Sequence, residues 1–93
     1  MAKFEIKMIF KKSADMASLH DEINNICNKT GNTILHEEGN IITYGSDSFN
    51  TFAPAFVHLI YSDILKTNLL DALWKDPYDD EHSCKKNILE PLN

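Results

Sequence analysis

The sequence predicts an α+β fold: a two-layer sandwich with a three-stranded sheet, in the order β-α-β-β-α with a C-terminal helical extension. Three observations carry that expectation. They are a period-two run over residues 4–10, an amphipathic stripe from Met16 to Ile26, and the turn signal Glu38-Gly39-Asn40 between two apolar runs. In the first, Phe4, Ile6, Met8 and Phe10 alternate with Lys3, Glu5, Lys7 and Lys11. That pattern reads as a half-buried strand whose other face is wet and basic. Ile9 interrupts the polar face, so that side is expected to be partly covered.

Met16, Leu19, Ile23 and Ile26 then follow at spacings of three and four, one face of a helix. Ser13 or Asp15 can cap its start, because their oxygens accept from the first free backbone N–H groups. Gly31 suits the left-handed conformation at its end. Residues 33–37 and 41–44 flank Glu38-Gly39-Asn40 as a short antiparallel hairpin, and residues 45–48 make a loop. A second helix is expected from near Thr51, with Pro54 tolerated in its first turn and Phe52, Phe56, Leu59, Ile60 and Ile64 facing inward. Beyond Lys66-Thr67-Asn68 the stripe shifts to Leu69, Leu70, Leu73 and Trp74. This implies a bent helix or a second short one capped by Asn68. Residues 83–90 suggest one or two more helical turns.

A right-handed β-α-β crossover would make the first two strands parallel with the third between them, order 1-3-2. That is a split β-α-β arrangement without its last strand; a plain meander is the alternative, and either places the first strand at a sheet edge. Ninety-three residues support a single domain, residues 1–93, of which 76–93 form a partly acidic, exposed extension. Hydrophobic residues at 43% argue against global disorder. No apolar run approaches the ~20 residues of a membrane span, and the N-terminus lacks the apolar stretch of a signal peptide. A cytoplasmic location is therefore expected. Two cysteines, Cys27 and Cys84, are too few for a disulfide framework.

Charge is the most informative compositional feature. Residues 1–12 hold four lysines and one glutamate, whereas residues 13–93 hold five lysines against thirteen Asp and Glu, giving −5 overall. Such a surface suits a basic protein partner and repels free nucleic acid. The lysines of the first strand lie on the face opposite Phe4 and Phe10, so they do not build a stacking platform for single strands. No Ser-His-Asp order, Gly-rich phosphate loop or nucleophile elbow is present. His20 and Asp21 are helical neighbours that point apart, His36 lies in a strand beside Glu37, and His58 reads as a structural histidine. The contiguous Asp79-Asp80-Glu81-His82-Ser83-Cys84 lacks the separated ligand pairs of a zinc site. No enzyme activity, cofactor or metal is expected.

The candidate partner-binding residues are accordingly carboxylates: Asp15, Asp21, Glu22, Glu37, Glu38, Asp47, Asp63, Asp71, Asp76, Asp79, Asp80 and Glu81. A domain of this length is about 30 Å across, and a duplex that long carries roughly 18 phosphates. Fourteen carboxylates spread over all sides do not reach that density, so one face would replace only several phosphate contacts. A two-fold dimer would lengthen the strip, with Leu69, Leu70, Leu73 and Trp74 as its apolar seam.

In length, acid excess from Ser13 onward, absence of arginine and the acidic residues 76–81, the chain resembles the phage-encoded acidic DNA-mimic anti-restriction proteins, the Arn-like proteins of T-even phages. The resemblance implies a negatively charged, DNA-shaped dimer that occupies the DNA-binding site of a host protein, a modification-dependent restriction nuclease above all, in the host cell cytoplasm. The basic first strand and a net charge of only −5 depart from the strongly acidic members. The alternative is an immunity protein or antitoxin that neutralises a cognate toxic nuclease, bound through a few central anchors such as Tyr78 or Trp74.

Overall fold

The computed structural model describes residues 3–75 in full and the backbone of residues 81–83. Its elements are β1 (Phe4–Phe10), α1 (Met16–Thr30), β2 (Thr33–Glu38), β3 (Ile41–Ser46), α2 (Phe49–Ile60), α3 (Asp63–Asn68), β4 (Leu69–Lys75) and β5 (Glu81–Ser83). The class is α+β. The sheet, however, has five strands in the order β2-β3-β1-β4-β5, four of them long and β5 only three residues. This corrects the three-stranded expectation and the helical reading of residues 69–75.

The correction has a physical cause. Leu69-Leu70-Asp71-Ala72-Leu73-Trp74-Lys75 contains good helix formers, but β4 pairs antiparallel with β1 from Glu5↔Lys75 to Phe10↔Leu69, with a bulge between Ile9 and Phe10. Ladder bonds and burial against the core outweigh local propensity. β1 is consequently central, not an edge. Its other side pairs with β3 from Phe4↔Ser46 to Ile9↔Ile41, and β3 in turn pairs with β2. Because β3 is antiparallel to both, β1 and β2 run parallel. With β4 added beyond β1, the four long strands have the order of a complete split β-α-β unit.

The register explains which side is dry. Ile6 lies level with Tyr44 and Trp74, and Met8 with Ile42 and Ala72. In an antiparallel ladder opposed residues share a face. Ile6, Met8, Phe10, Ile42, Tyr44 and Ala72 are all essentially inaccessible and meet Leu19, Ile23 and Ile26 of α1, Phe52, Ala55 and Leu59 of α2, and Leu65 of α3. Each such large side chain contributes about 1.5–3 kcal/mol by leaving water. Ile9, as expected from sequence, is half-buried on the opposite face.

Several contacts lock the corners. The Phe10 N–H donates to the Asn40 carbonyl at 2.9 Å, and Asn40 Nδ2 donates back to the Phe10 carbonyl at 2.6 Å. The hairpin turn, with Gly39 at φ 58°, is thereby fastened to the end of β1. The buried Asn32 donates to Thr30 Oγ1 at 2.9 Å and to the Thr51 carbonyl at 2.8 Å, tying α1 to the start of α2. Gly31 closes α1 at φ 82°, a conformation costly for a residue with a Cβ.

α2 begins at Phe49, two residues before the expected start, so Pro54 falls in its second turn and not its first. There its ring removes the bond to the Asn50 carbonyl and locally weakens the helix. Ile64, expected inside, is 37% exposed, because α2 ends at Ile60 and α3 starts a new helical phase. None of the helices is long and apolar enough to cross a membrane among the described residues.

Two outcomes test this packing. Gly45 is the second-last position of the β3–β1 ladder, opposite Glu5, and an added Cβ would collide with the Phe4 backbone carbonyl and crowd the Glu5 Cα and Cβ. Gly45→Ala is expected to lower unfolding free energy by about 1–3 kcal/mol in urea titration, as overpacked backbone contacts do. Burial pushes the Cys27 thiol up to about 11, so little thiolate forms near neutrality. In a Cys84→Ser background, Cys27 is expected to resist alkylation at pH 8 until urea unfolds the chain; rapid native-state labelling would contradict its burial.

Candidate acidic interface

The carboxylates are distributed by the geometry of α1. Successive helical residues point about 100° apart, so Asp21 and Glu22 face different neighbours. Asp21 turns toward β2, where Met16, Ala17, His20, Asp21, Glu37 and Gly39 line a shallow groove. Glu22 turns toward α2 and α3, into a polar groove shared with Asn25, Lys29, His58, Tyr61 and Asp63.

The α1–β2 edge is the more uniformly acidic. β2 is an outer strand of the sheet, and a bulge between Ile34 and His36 bends it and leaves Leu35 42% exposed. His20 Nδ1 lies 2.6 Å from Glu37 Oε1, with both side chains about 40% exposed. His36 Nε2 lies 3.2 Å from Glu38 Oε2, on a more open surface. Glu37 is therefore not merely a solvent-facing charge at the hairpin, since it fastens the edge strand to α1. The partners are seventeen residues apart in the chain, too far for a local pattern to reveal. Asp21, Glu37 and Glu38 make no ion pair with lysine among the described residues.

The other predicted positions lie elsewhere. Asp15 is the N-cap of α1: its Oδ1 accepts from the Ala17 and Ser18 N–H groups at 3.2 and 3.4 Å, and its Oδ2 from Ser18 Oγ at 2.8 Å. Asp47 is exposed in the turn between β3 and α2. Asp63 opens α3. Asp71 is half-buried on the sheet face away from the helices, level with Ile9, and its Oδ1 accepts from the Ala72 N–H at 2.8 Å. Asp76, Asp79 and Asp80 lie outside the described residues, as do Tyr78 and Cys84; Glu81 is described only as part of the β5 backbone. The described carboxylates thus form one pair, Asp21 with Glu37, and several separate sites, not a single strip.

The expected apolar seam is also rearranged. Leu69 is 5% exposed and part of the core, whereas Leu70 is 47% exposed. As strand neighbours, Leu73 and Trp74 point to opposite faces, so the four residues do not make one stripe. Trp74 faces the helices and lines an apolar cavity with Phe49, Phe52, Ala53, Phe56 and Val57. The outer positions Phe49, Ala53 and Val57 are not among those the sequence assigns to the inward face of α2.

His20 and His36 each face one carboxylate of β2. His58, read from sequence as a structural histidine, is exposed and makes no hydrogen bond among the described residues. Among the described residues there is also no group of three or more His, Cys, Asp or Glu placed to hold a metal. Comparison with known proteins brings no match to a family model, a curated protein or a solved structure.

Hydrogen bonding from Ser18, chiefly from its hydroxyl, holds the Asp15 carboxyl below its ordinary 3.8. A lowered folded value means that the stabilisation is present above about pH 4 and is lost as pH falls through the folded value. Asp15→Ala is therefore expected to lower the melting temperature at pH 7. The gap from the parent protein should close only below pH 3.8; a gap unchanged down to pH 2 would contradict the cap's electrostatic part.

Proposed function

We propose that this chain is a non-catalytic acidic inhibitor that mimics DNA and occupies the nucleic-acid-binding site of a host protein such as a restriction nuclease. The observation that carries this reading is the α1–β2 edge, where Asp21 and Glu37 line one groove between rigid elements and Glu38 follows on the opposite face of β2. The described partners of Glu37 and Glu38 are imidazoles and not lysines. A neutral imidazole can donate to a carboxylate without cancelling its charge. Lysines and arginines that normally meet phosphates would find a carboxylate set already held in place, at less ordering cost than a mobile acidic tail.

The edge replaces a few phosphate contacts and not the ~6–10 of a typical DNA-binding site. Binding then combines modest charge complementarity with shape, and the electrostatic part is screened by salt.

The direct test is cleavage of modified DNA by a purified modification-dependent restriction nuclease, titrated with this protein. Inhibition is expected to be relieved by excess uncleavable duplex and to weaken about tenfold between 50 and 200 mM salt. The Asp21→Asn/Glu37→Gln/Glu38→Gln variant should inhibit at least about tenfold less, the size expected for losing several rim charges, while keeping its fold by circular dichroism. Inhibition indifferent to duplex, or no inhibition at all, would overturn the reading.

A further inference from the structure

β2 is an outer strand, and among the described residues no segment is hydrogen-bonded to its free side. Along such an edge alternate residues turn their N–H and C=O groups to water, a ready template for another chain. Every side chain of β2 except Ile34 is exposed. Edge strands are commonly blunted by lysine, proline or shortness. Residues 33–38 include neither lysine nor proline, and six strand residues span about 20 Å. The opposite edge, β5, has only three residues.

Each face of this edge carries a groove. Ile34 and Glu37 lie level with the buried Tyr44 and Ile42, and so face the helices. There Glu37 shares its groove with Met16, Ala17, His20 and Asp21. Thr33, His36 and Glu38 are level with Gly45, Thr43 and Ile41, on the other face. On that side Thr33 and Leu35 line a second groove with Gly45, Ser46 and Asp47. The bulge between Ile34 and His36 takes Leu35 out of the ladder and leaves it 42% exposed. No lysine lines either groove.

We propose that the free side of β2 takes up an extended basic segment of the partner protein as a sixth strand of the sheet. Charge selects this occupant. A second copy of β2 would bring two Glu37–Glu38 pairs together, and like charges opposed across strands repel. Two consecutive basic residues fit instead, because strand neighbours point to opposite faces. One enters the groove of Asp21 and Glu37, the next meets Glu38 on the other side, and an apolar residue two positions on covers Leu35. Backbone hydrogen bonds supply affinity and these side chains supply register. The inference deepens the inhibitor reading, on which it rests for the partner's identity, while the strand edge is open to a separate test.

The probe is the peptide Thr-Val-Thr-Lys-Arg-Thr-Val-Thr, capped at both ends and titrated into the isotope-labelled full chain at 50 mM salt with amide NMR as the readout. Shifts are expected at residues 33–38, with slowed amide exchange there. A Glu-Glu peptide in place of Lys-Arg should bind at least about tenfold more weakly. Glu37→Gln and Glu38→Gln should each weaken binding about threefold, the size for exposed charge pairs, and Asp63→Asn on α3 should not. Two further peptides, N-methylated at odd or at even residues, need no variant to fold. One of them should lose at least about tenfold, for the strand hydrogen bonds it cannot make, and the other should bind like the parent. Shifts centred elsewhere, equal binding by the two methylated peptides, or equal binding by the Glu-Glu peptide would each overturn the proposal. Peptide binding beside an uninhibited nuclease would support the strand edge and count against the inhibitor reading; nuclease inhibition without peptide binding would do the reverse.

Discussion

The whole structure depends on β1 being paired on both sides. Its inward side chains, Ile6, Met8 and Phe10, are inaccessible because β3 and β4 flank them in register and the helices close over them. A strand with six partners on each side cannot shift by one residue without sending its apolar set to the opposite face. That requirement fixes the placement of both neighbours, and with them the hairpin that carries Glu37 and Glu38.

Surface chemistry is divided element by element. α1 carries acids on two sides, toward β2 and toward α3, while α2 carries none. The sheet face away from the helices mixes Glu5, Lys7, Asp71 and Lys75 with Ile9 and Leu73, and opposite charges one strand apart offset each other. A net charge of −5 therefore does not describe any one face. The α1–β2 edge is more negative than the average and α2 is neutral, so charged and apolar partners would meet this protein on different sides.

Histidine supplies a link between local and global structure. In α1, His20 is next to Asp21, yet its hydrogen bond goes to Glu37 on β2. The helical rotation separates sequence neighbours, and the parallel placement of β1 and β2 carries β2 past the start of α1. The same contact serves packing, by anchoring an outer strand, and holds one carboxylate in a defined orientation. It does this without a lysine, which leaves the edge acidic while His20 is neutral.

From sequence alone, periodicity was enough for β1, α1 and the β2–β3 hairpin, because each has an uninterrupted pattern bounded by a cap or a turn: Asp15, Gly31, Gly39. It also determined the sign of the surface and the stripe Leu19–Ile23–Ile26, since these follow from composition and spacing. It did not determine β4: Leu69 to Lys75 is a stretch of helix formers whose state was decided by the free side of β1. Nor did it determine which carboxylates are neighbours, because Asp21 and Glu37 meet only when α1 lies along β2. Local pattern reports on contacts within a few residues, and the sheet order and the acidic edge are made of contacts between residues far apart in the chain. Those were decided by the packing of one strand's apolar face.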